Sequence, residues 1–409
     1  MSFVRFLTVR KLGYGHTMAA SCIGYVVQAI MINFIPLLFV TFNKNYGISF
    51  DKISALITMN FLIQLSVDLL SPRFVDKIGY RISAILANAL AAVGMLLFSV
   101  LPVVMENHFL GILISMFFMG IGGGLTEVVI SPIVEACPYE NKNGYMSLLH
   151  SFYCWGHVFV VVTSILYFLF IGIEKWPYLA AAFALVPIFD LIYFTRVPIN
   201  KLIDNEIGGA RKISMKGLVS RKLFWVMALL MLCAGASEMA VSQWSSAFAE
   251  TGLKVSKTVG DVVGPMTFAV IMGSSRLFYA KFSERINLEK YMLLCTALCF
   301  AGYLTVSLSP YPLLSLLGSA LCGFSVGVMW PGTYSIASKG LKGAGTAMFA
   351  LLALMGDAGC TVGPSIVGFI SERFSGDLKV GIFSVSVFPI VMFFTLLFYI
   401  KKKKQAERG

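Results

Sequence analysis

Apolar residues run along this chain in long blocks, broken by short polar stretches that carry most of its charges. A helix crossing the hydrocarbon core of a bilayer needs about 20 consecutive, mostly apolar residues. Blocks of that length can be laid down twelve times, near residues 16–42, 52–74, 82–104, 109–136, 145–171, 176–196, 223–250, 261–282, 288–308, 311–337, 343–371 and 377–400. The pattern predicts an all-α membrane protein with twelve transmembrane helices. The first block is too long for a cleavable signal and lacks its small-residue cleavage pattern.

The breaks between blocks test this layout, because cytoplasmic loops hold an excess of Lys and Arg. With twelve spans, 25 of the 32 basic residues fall on the side of the N-terminus, starting with Arg5, Arg10 and Lys11. Both termini are therefore expected in the cytoplasm, and an odd number of spans would spoil the partition. The longest hydrophilic break, 197–222, divides the spans six and six. The expected organisation is a bundle over 1–196, a cytoplasmic linker over 197–222, a second bundle over 223–400 and a basic tail over 401–409, whose Lys401–Lys404 run suits anionic lipid.

Composition excludes other classes. Of 409 residues, 58% are AVILMFWYC and 13% are charged, with a mean hydropathy of +0.83, whereas a water-facing domain is about a quarter charged. The net charge of +12 could suit nucleic acid, but its basic residues are scattered between apolar blocks and gathered at the tail, so none is expected. The eight cysteines show no C-x-x-C spacing and read as reduced small residues packed in helices. No P-loop pattern suggests a nucleotide-driven pump.

The chain also repeats itself. At an offset of 208, Arg73-Phe74-Val75-Asp76-Lys77-Ile78 aligns with Lys281-Phe282-Ser283-Glu284-Arg285-Ile286, matching charge, aromatic and aliphatic character in order. At an offset of 203, Gly120 falls on Gly323, Gly124 on Gly327 and Glu127 on Trp330. Two parallel repeats place a site between them near the midplane. With Asp76-Lys77-Ile78-Gly79-Tyr80-Arg81 between spans 2 and 3, the whole chain resembles the major facilitator superfamily. That resemblance implies two pseudo-symmetric six-helix bundles and a transporter rather than an enzyme. It also implies gating charges at Asp76 and Arg81, which would pair and separate as the bundles rock, and at Glu284 and Arg285 in the repeat. Gly79 is expected to supply a turn that L-residues avoid; Pro72 stands where the family has glycine.

Ionisable groups deep in a membrane are functional candidates: here Asp68, Glu127, Asp190, Glu238, Arg276 and Asp357. Asp68 and Arg276 are equivalent in the repeat and suit a structural ion pair, while Asp190 reads as packing. Glu127 follows the run Gly120–Gly124, and Ser131 shares its face one turn on; Glu127, Glu238 and Asp357 are the candidate proton carriers. Glu238 begins a stripe with Ser242 and Ser245, beside Gln243 and Trp244. His150, Cys154 and His157 share a face and could ligate a metal, but a polar cavity wall with Tyr153 and Trp155 explains the same residues, so neither metal nor cofactor is expected. Gln28 and Asn33 in span 1, Trp330 before Pro331, and Asp357 between Gly356 and Gly359 complete the candidate substrate residues.

Within the superfamily, Gly124-Leu125-Thr126-Glu127, His150-Ser151-Phe152 with Gly156, and Gly235-Ala236-Ser237-Glu238 with Trp244 resemble the fucose/glucose/galactose:proton symporters. The branch often carries an acid near Asn33, and here there is none. Met116 replaces the span-4 arginine of proton-driven drug antiporters, and span 5 lacks their Gly-Pro-x-x-Gly-Gly segment. Amides and aromatic faces suit a neutral polyhydroxylated solute. The expectation is a monomeric plasma-membrane symporter importing a small polar solute, most simply a sugar, with protons. Sugar uniport, or efflux of another metabolite or drug, is the alternative.

Overall fold

A computed structural model describes residues 12–200, 213–253, 264, 266–375 and 377–406. Arg5, Arg10 and Lys11, the middle of the linker at 201–212 and the start of the span expected from 261 lie outside the described residues. Among the described residues every regular element is helical, and the helices form twelve passes. The first six are α1 (Tyr14–Asn33, continued by Phe39–Tyr46), α2 (Phe50–Ile78), α3 (Tyr80–Val104), α4 (His108–Glu135), α5 (Lys142–Phe170) and α6 (Trp176–Phe183 with Leu185–Phe194). A one-turn helix, Met215–Val219, precedes α7 (Lys222–Leu253), α8 (Thr267–Phe282), α9 (Leu288–Leu308), α10 (Pro312–Val326 with Met329–Gly340), α11 (Gly345–Arg373) and α12 (Leu378–Ser384 with Val387–Ala406). Ten passes are long and apolar enough to cross a membrane among the described residues. The other two are α2, which carries Asp68, Arg73, Asp76 and Lys77, and α8, described over 16 residues.

The packing repeats as the sequence does. In the first bundle α1 packs on α5, α2 on α4 and α3 on α4; in the second, α7 packs on α11, α8 on α10 and α9 on α10. The aligned glycines sit at matching contacts: a Cβ on Gly120 would press Ile63 of α2, one on Gly323 would press Phe268 of α8, and Gly124 and Gly327 meet Val67 and Ser275 on the same two helices. The bundles meet through α5 on α8 and α2 on α11, two contacts that exchange under the repeat, and through α11 on α4 and α10 on α5.

Local chemistry explains two breaks that matter. Gly79 joins α2 to α3 at φ 85° and ψ 157°, a region essentially reserved for glycine, as its place in the loop suggested. α10 is interrupted at Gly327–Val328. The carbonyl of Gly327 would be served by the amide of residue 331, but Pro331 has none. Arg276 Nε donates to that carbonyl instead, at 2.9 Å, which is how irregular backbone is satisfied at membrane depth.

At the end of the molecule where the linker lies, the bundles are closed on each other. Thr346 at the start of α11 donates to Asp76 Oδ1 at 2.8 Å and shares a 2.7 Å bond with the Tyr80 hydroxyl. Asn141 and Ser283 exchange bonds of 2.7 and 3.0 Å, Lys339 donates to Asn143 at 2.9 Å, and Ser147 donates to the Arg276 carbonyl at 2.7 Å. Arg81 serves its own bundle, donating to the carbonyls of Phe194 and Val197 at 2.7 and 2.8 Å. Glu284 and Arg285 are exposed in the turn after α8, so the contact on that side is made by Ser283 rather than by the charges.

Candidate functional site

A cavity of ≈ 100 Å³ lies between the bundles, lined from α1, α2, α4 and α5 on one side and α7, α8, α10 and α11 on the other. It has room for several waters or part of a small solute. Of the residues singled out in the sequence, Gln28, Glu127, His150, Tyr153, Glu238, Arg276, Trp330 and Asp357 line it.

Glu127 is 9% exposed, and its Oε2 accepts from Gln28 Nε2 at 2.9 Å. Gln28 Oε1 receives no hydrogen bond, so the amide is spent on holding the carboxyl and leaves one acceptor for a ligand. His150, 5% exposed, is set by the Tyr25 hydroxyl and Ser131 Oγ, each 3.3 Å from Nε2, and those two oxygens are 3.0 Å apart. The Ser131 expected to accompany Glu127 therefore works through Tyr25 and His150. Trp330 packs against Gly356, where a Cβ would come within 2.2 Å of the indole. That glycine lets an aromatic face enter the cavity wall, a surface suited to stacking an apolar ring face.

Arg276 organises the opposite wall. It is 3% exposed; Nη2 lies 3.3 Å from Glu238 Oε2, and Nη1 donates to the His150 carbonyl at 2.8 Å and to Cys154 Sγ at 3.2 Å. With the Gly327 bond, one guanidinium ties α5, α7, α8 and α10 together. The expected pairing of Arg276 with Asp68 is therefore corrected. Equivalence in a repeat relates positions by the pseudo-twofold, which maps each onto the other's bundle without bringing them into contact, and the carboxyl that reaches Arg276 comes from α7.

Four expected residues stand elsewhere. Asn33, at the end of α1, bonds back to the Ala29 carbonyl at 2.9 Å and lies beside the Tyr153 hydroxyl. The Trp155 ring rests on Gly273 of α8. Trp244 donates to the Pro364 carbonyl at 3.1 Å and packs on Gly368, and Gln243 is exposed. In the stripe after Glu238, Ser245 is buried and its Oγ bonds back to the Ser242 carbonyl at 2.7 Å. Among the described residues no three His, Cys, Asp or Glu side chains converge as a metal site. Asp190 is buried in α6 and accepts from Asn88 at 3.0 Å.

Sequence reasoning missed Tyr25, Asn60 and Gln64 in the wall. Gln64 carried a legible signal, lying one helical turn before Asp68 on the same face; Tyr25 carried none beyond its place three residues before Gln28.

The sequence matches the family model described as Major Facilitator Superfamily over residues 21–364 and 266–408. No curated protein matches it. Among solved structures, FucP in an outward conformation superposes with a TM-score of 0.76 at 16% identity, covering 93% of this chain and 98% of that one; another structure names FucP as the E. coli fucose:proton symporter. The proton:xylose symporter XylE, bound to 6-bromo-6-deoxy-D-glucose, gives 0.76 at 11% identity over 95% of each chain. The human organic anion transporter MFSD10 gives 0.74 at 14% identity, over 93% of this chain and 99% of that one. At these identities the likeness is one of fold.

Proposed function

The chain belongs to the major facilitator superfamily, and from that premise we propose that it is a proton-coupled symporter importing a small, neutral, polyhydroxylated solute. The observation that carries this reading is Glu127, a buried carboxyl on the cavity wall held by one neutral amide. Such a group can take a proton from one side and release it to the other as the bundles rock. The lining includes the carboxyls of Glu127, Glu238 and Asp357 against the single guanidinium of Arg276. That balance disfavours an anionic solute, so the organic anion named for MFSD10 is not carried over. Gln28 and His150 offer polar edges, and Trp330 and Tyr153 offer ring faces, the combination that suits a sugar.

The basic bias supports a cytoplasmic linker end, which this reading sets in a plasma membrane, and no partner beyond solute, proton and lipid is needed. Each proton moving inward contributes about 2.3 kcal/mol per 100 mV, besides the pH gradient, to solute accumulation. Protonation of Glu127 and solute binding then favour each other, as linked equilibria require.

The test is external pH recording on weakly buffered, de-energised cells expressing the protein, with monosaccharides, polyols and nucleosides added one at a time. Alkalinisation with one solute in the wild type, absent in Glu127→Gln, is the expected result. Solute uptake without any pH change would sink proton coupling and leave uniport; no response to any solute would point to export or another substrate class.

A further inference from the structure

Asp68 on α2 is 0% exposed, and neither of its carboxyl oxygens receives a hydrogen bond. α11 of the other bundle packs on α2 and brings Asp357, 7% exposed, against it. The two carboxyls interact directly, and Asp357 Oδ2 has no hydrogen-bond donor either. The other titratable groups around the pair come from α4, α10 and α11: Glu127, Tyr334, whose hydroxyl donates to the Phe349 carbonyl at 3.3 Å, and Cys360. Tyr25 from α1 lies beyond Tyr334 and is held by Ser131. The cation of the cavity, Arg276, is engaged by Glu238 on the far wall. Among the described residues nothing positive faces the pair, and two buried carboxyls in contact without a cation do not both ionise.

We propose that Asp68 and Asp357 form a proton-binding site shared between the two bundles, one proton being held by the facing carboxyls of α2 and α11. Asp357 also lines the cavity, so the proton leaves to cavity water and returns from it. Its departure leaves two carboxylates repelling each other across the contact between α2 and α11. These are the same two helices tied at the linker end by Asp76, Tyr80 and Thr346. Occupancy of the site by a proton therefore holds the linker end closed, and loss of the proton works to open it. This goes beyond the transport reading: it requires neither a particular solute nor proton coupling at Glu127.

The test measures the separation of nitroxide labels at Lys77→Cys and Lys342→Cys, both exposed and one on each bundle, in the purified full chain without solute. Raising the pH from about 6 to about 8 is expected to increase the separated population roughly tenfold. Asp68→Asn and Asp357→Asn should each abolish that response and hold the short distance, because an amide donates to the remaining carboxylate without needing a proton. A wild type insensitive to pH, or a response kept in both Asp68→Asn and Asp357→Asn, overturns the proposal.

Infrared spectra give a second reading that begins with the wild type. A pH-sensitive carbonyl component of a protonated carboxyl, distinct from the one that Glu127→Gln removes, should be present at low pH and vanish in either single Asn variant; its persistence in both overturns the proposal. Asp68→Ser, smaller and also a donor, replaces Asp68→Asn should that variant not fold. A solute panel without response beside a pH-dependent distance would defeat the transport reading and leave this site standing; alkalinisation on solute addition beside a pH-independent distance would do the reverse.

Discussion

Arg276 shows how much one buried charge is asked to do. Its guanidinium meets a carboxylate, two carbonyls and a thiol on three other helices, and removing one partner of a buried pair costs about 3–5 kcal/mol because the other is left uncompensated. Arg276→Met is therefore expected to melt well below the wild type. Adding Glu238→Gln should recover part of the loss, since the stranded carboxylate is gone; strictly additive losses in thermal unfolding would refute the pairing. The same residue marks a limit of the sequence. That Arg276 is buried, and that it and Glu238 are candidates, follows from their places in apolar blocks. Which carboxyl it meets depends on how helices from different parts of the chain are rotated against one another, and a one-dimensional pattern does not contain that rotation. Asn33, Trp155, Gln243 and Trp244 stand off this cavity for the same reason: each lies within a turn or two of a residue that lines it, and the rotation that decides between them is not written in the sequence.

At the level of elements the sequence was more explicit, because lengths and breaks are local properties. Apolar blocks gave the passes, Pro331 accounts for the interruption of α10, and the aligned glycines anticipated matching contacts in the two bundles. The glycines of α11 allow a sharper test. A Cβ on Gly359 would lie 2.1 Å from the Leu232 carbonyl oxygen of α7, whereas one on Gly368 would lie 3.1 Å from the edge of the Trp244 ring. Backbone cannot yield without parting α7 from α11, while a half-buried side chain can shift. Gly359→Ala should thus cost about 1–3 kcal/mol or more, the usual range for overpacking, and Gly368→Ala much less. The fraction of each variant recovered as a single size-exclusion peak at raised temperature measures the difference, and equal losses would show that α11 does not rest on the α7 backbone.

For the whole molecule, the balance between states of the linker end rests on a small number of polar contacts, which makes it open to single substitutions. Thr346 sits at the hub of one cluster, donating to Asp76 and bonded to Tyr80, the one on α11 and the others on α2 and α3. Thr346→Val keeps the shape and removes both bonds. With net values of about 1 kcal/mol each, the open fraction of the linker end should rise roughly 30-fold. Ser147 is fully buried beneath this closure, bonded to the Arg276 carbonyl, so a cysteine there reports opening. The rate at which Ser147→Cys is alkylated by a water-soluble maleimide should increase by about that factor when Thr346→Val is added, provided closing outpaces labelling. Tyr80→Phe, which breaks only one of the two bonds, should fall between. An alkylation rate indifferent to Thr346 would mean that the closure is carried by the α5 and α8 contacts alone, and the conformational balance would then have to be sought at Asn141, Ser283 and Lys339 instead.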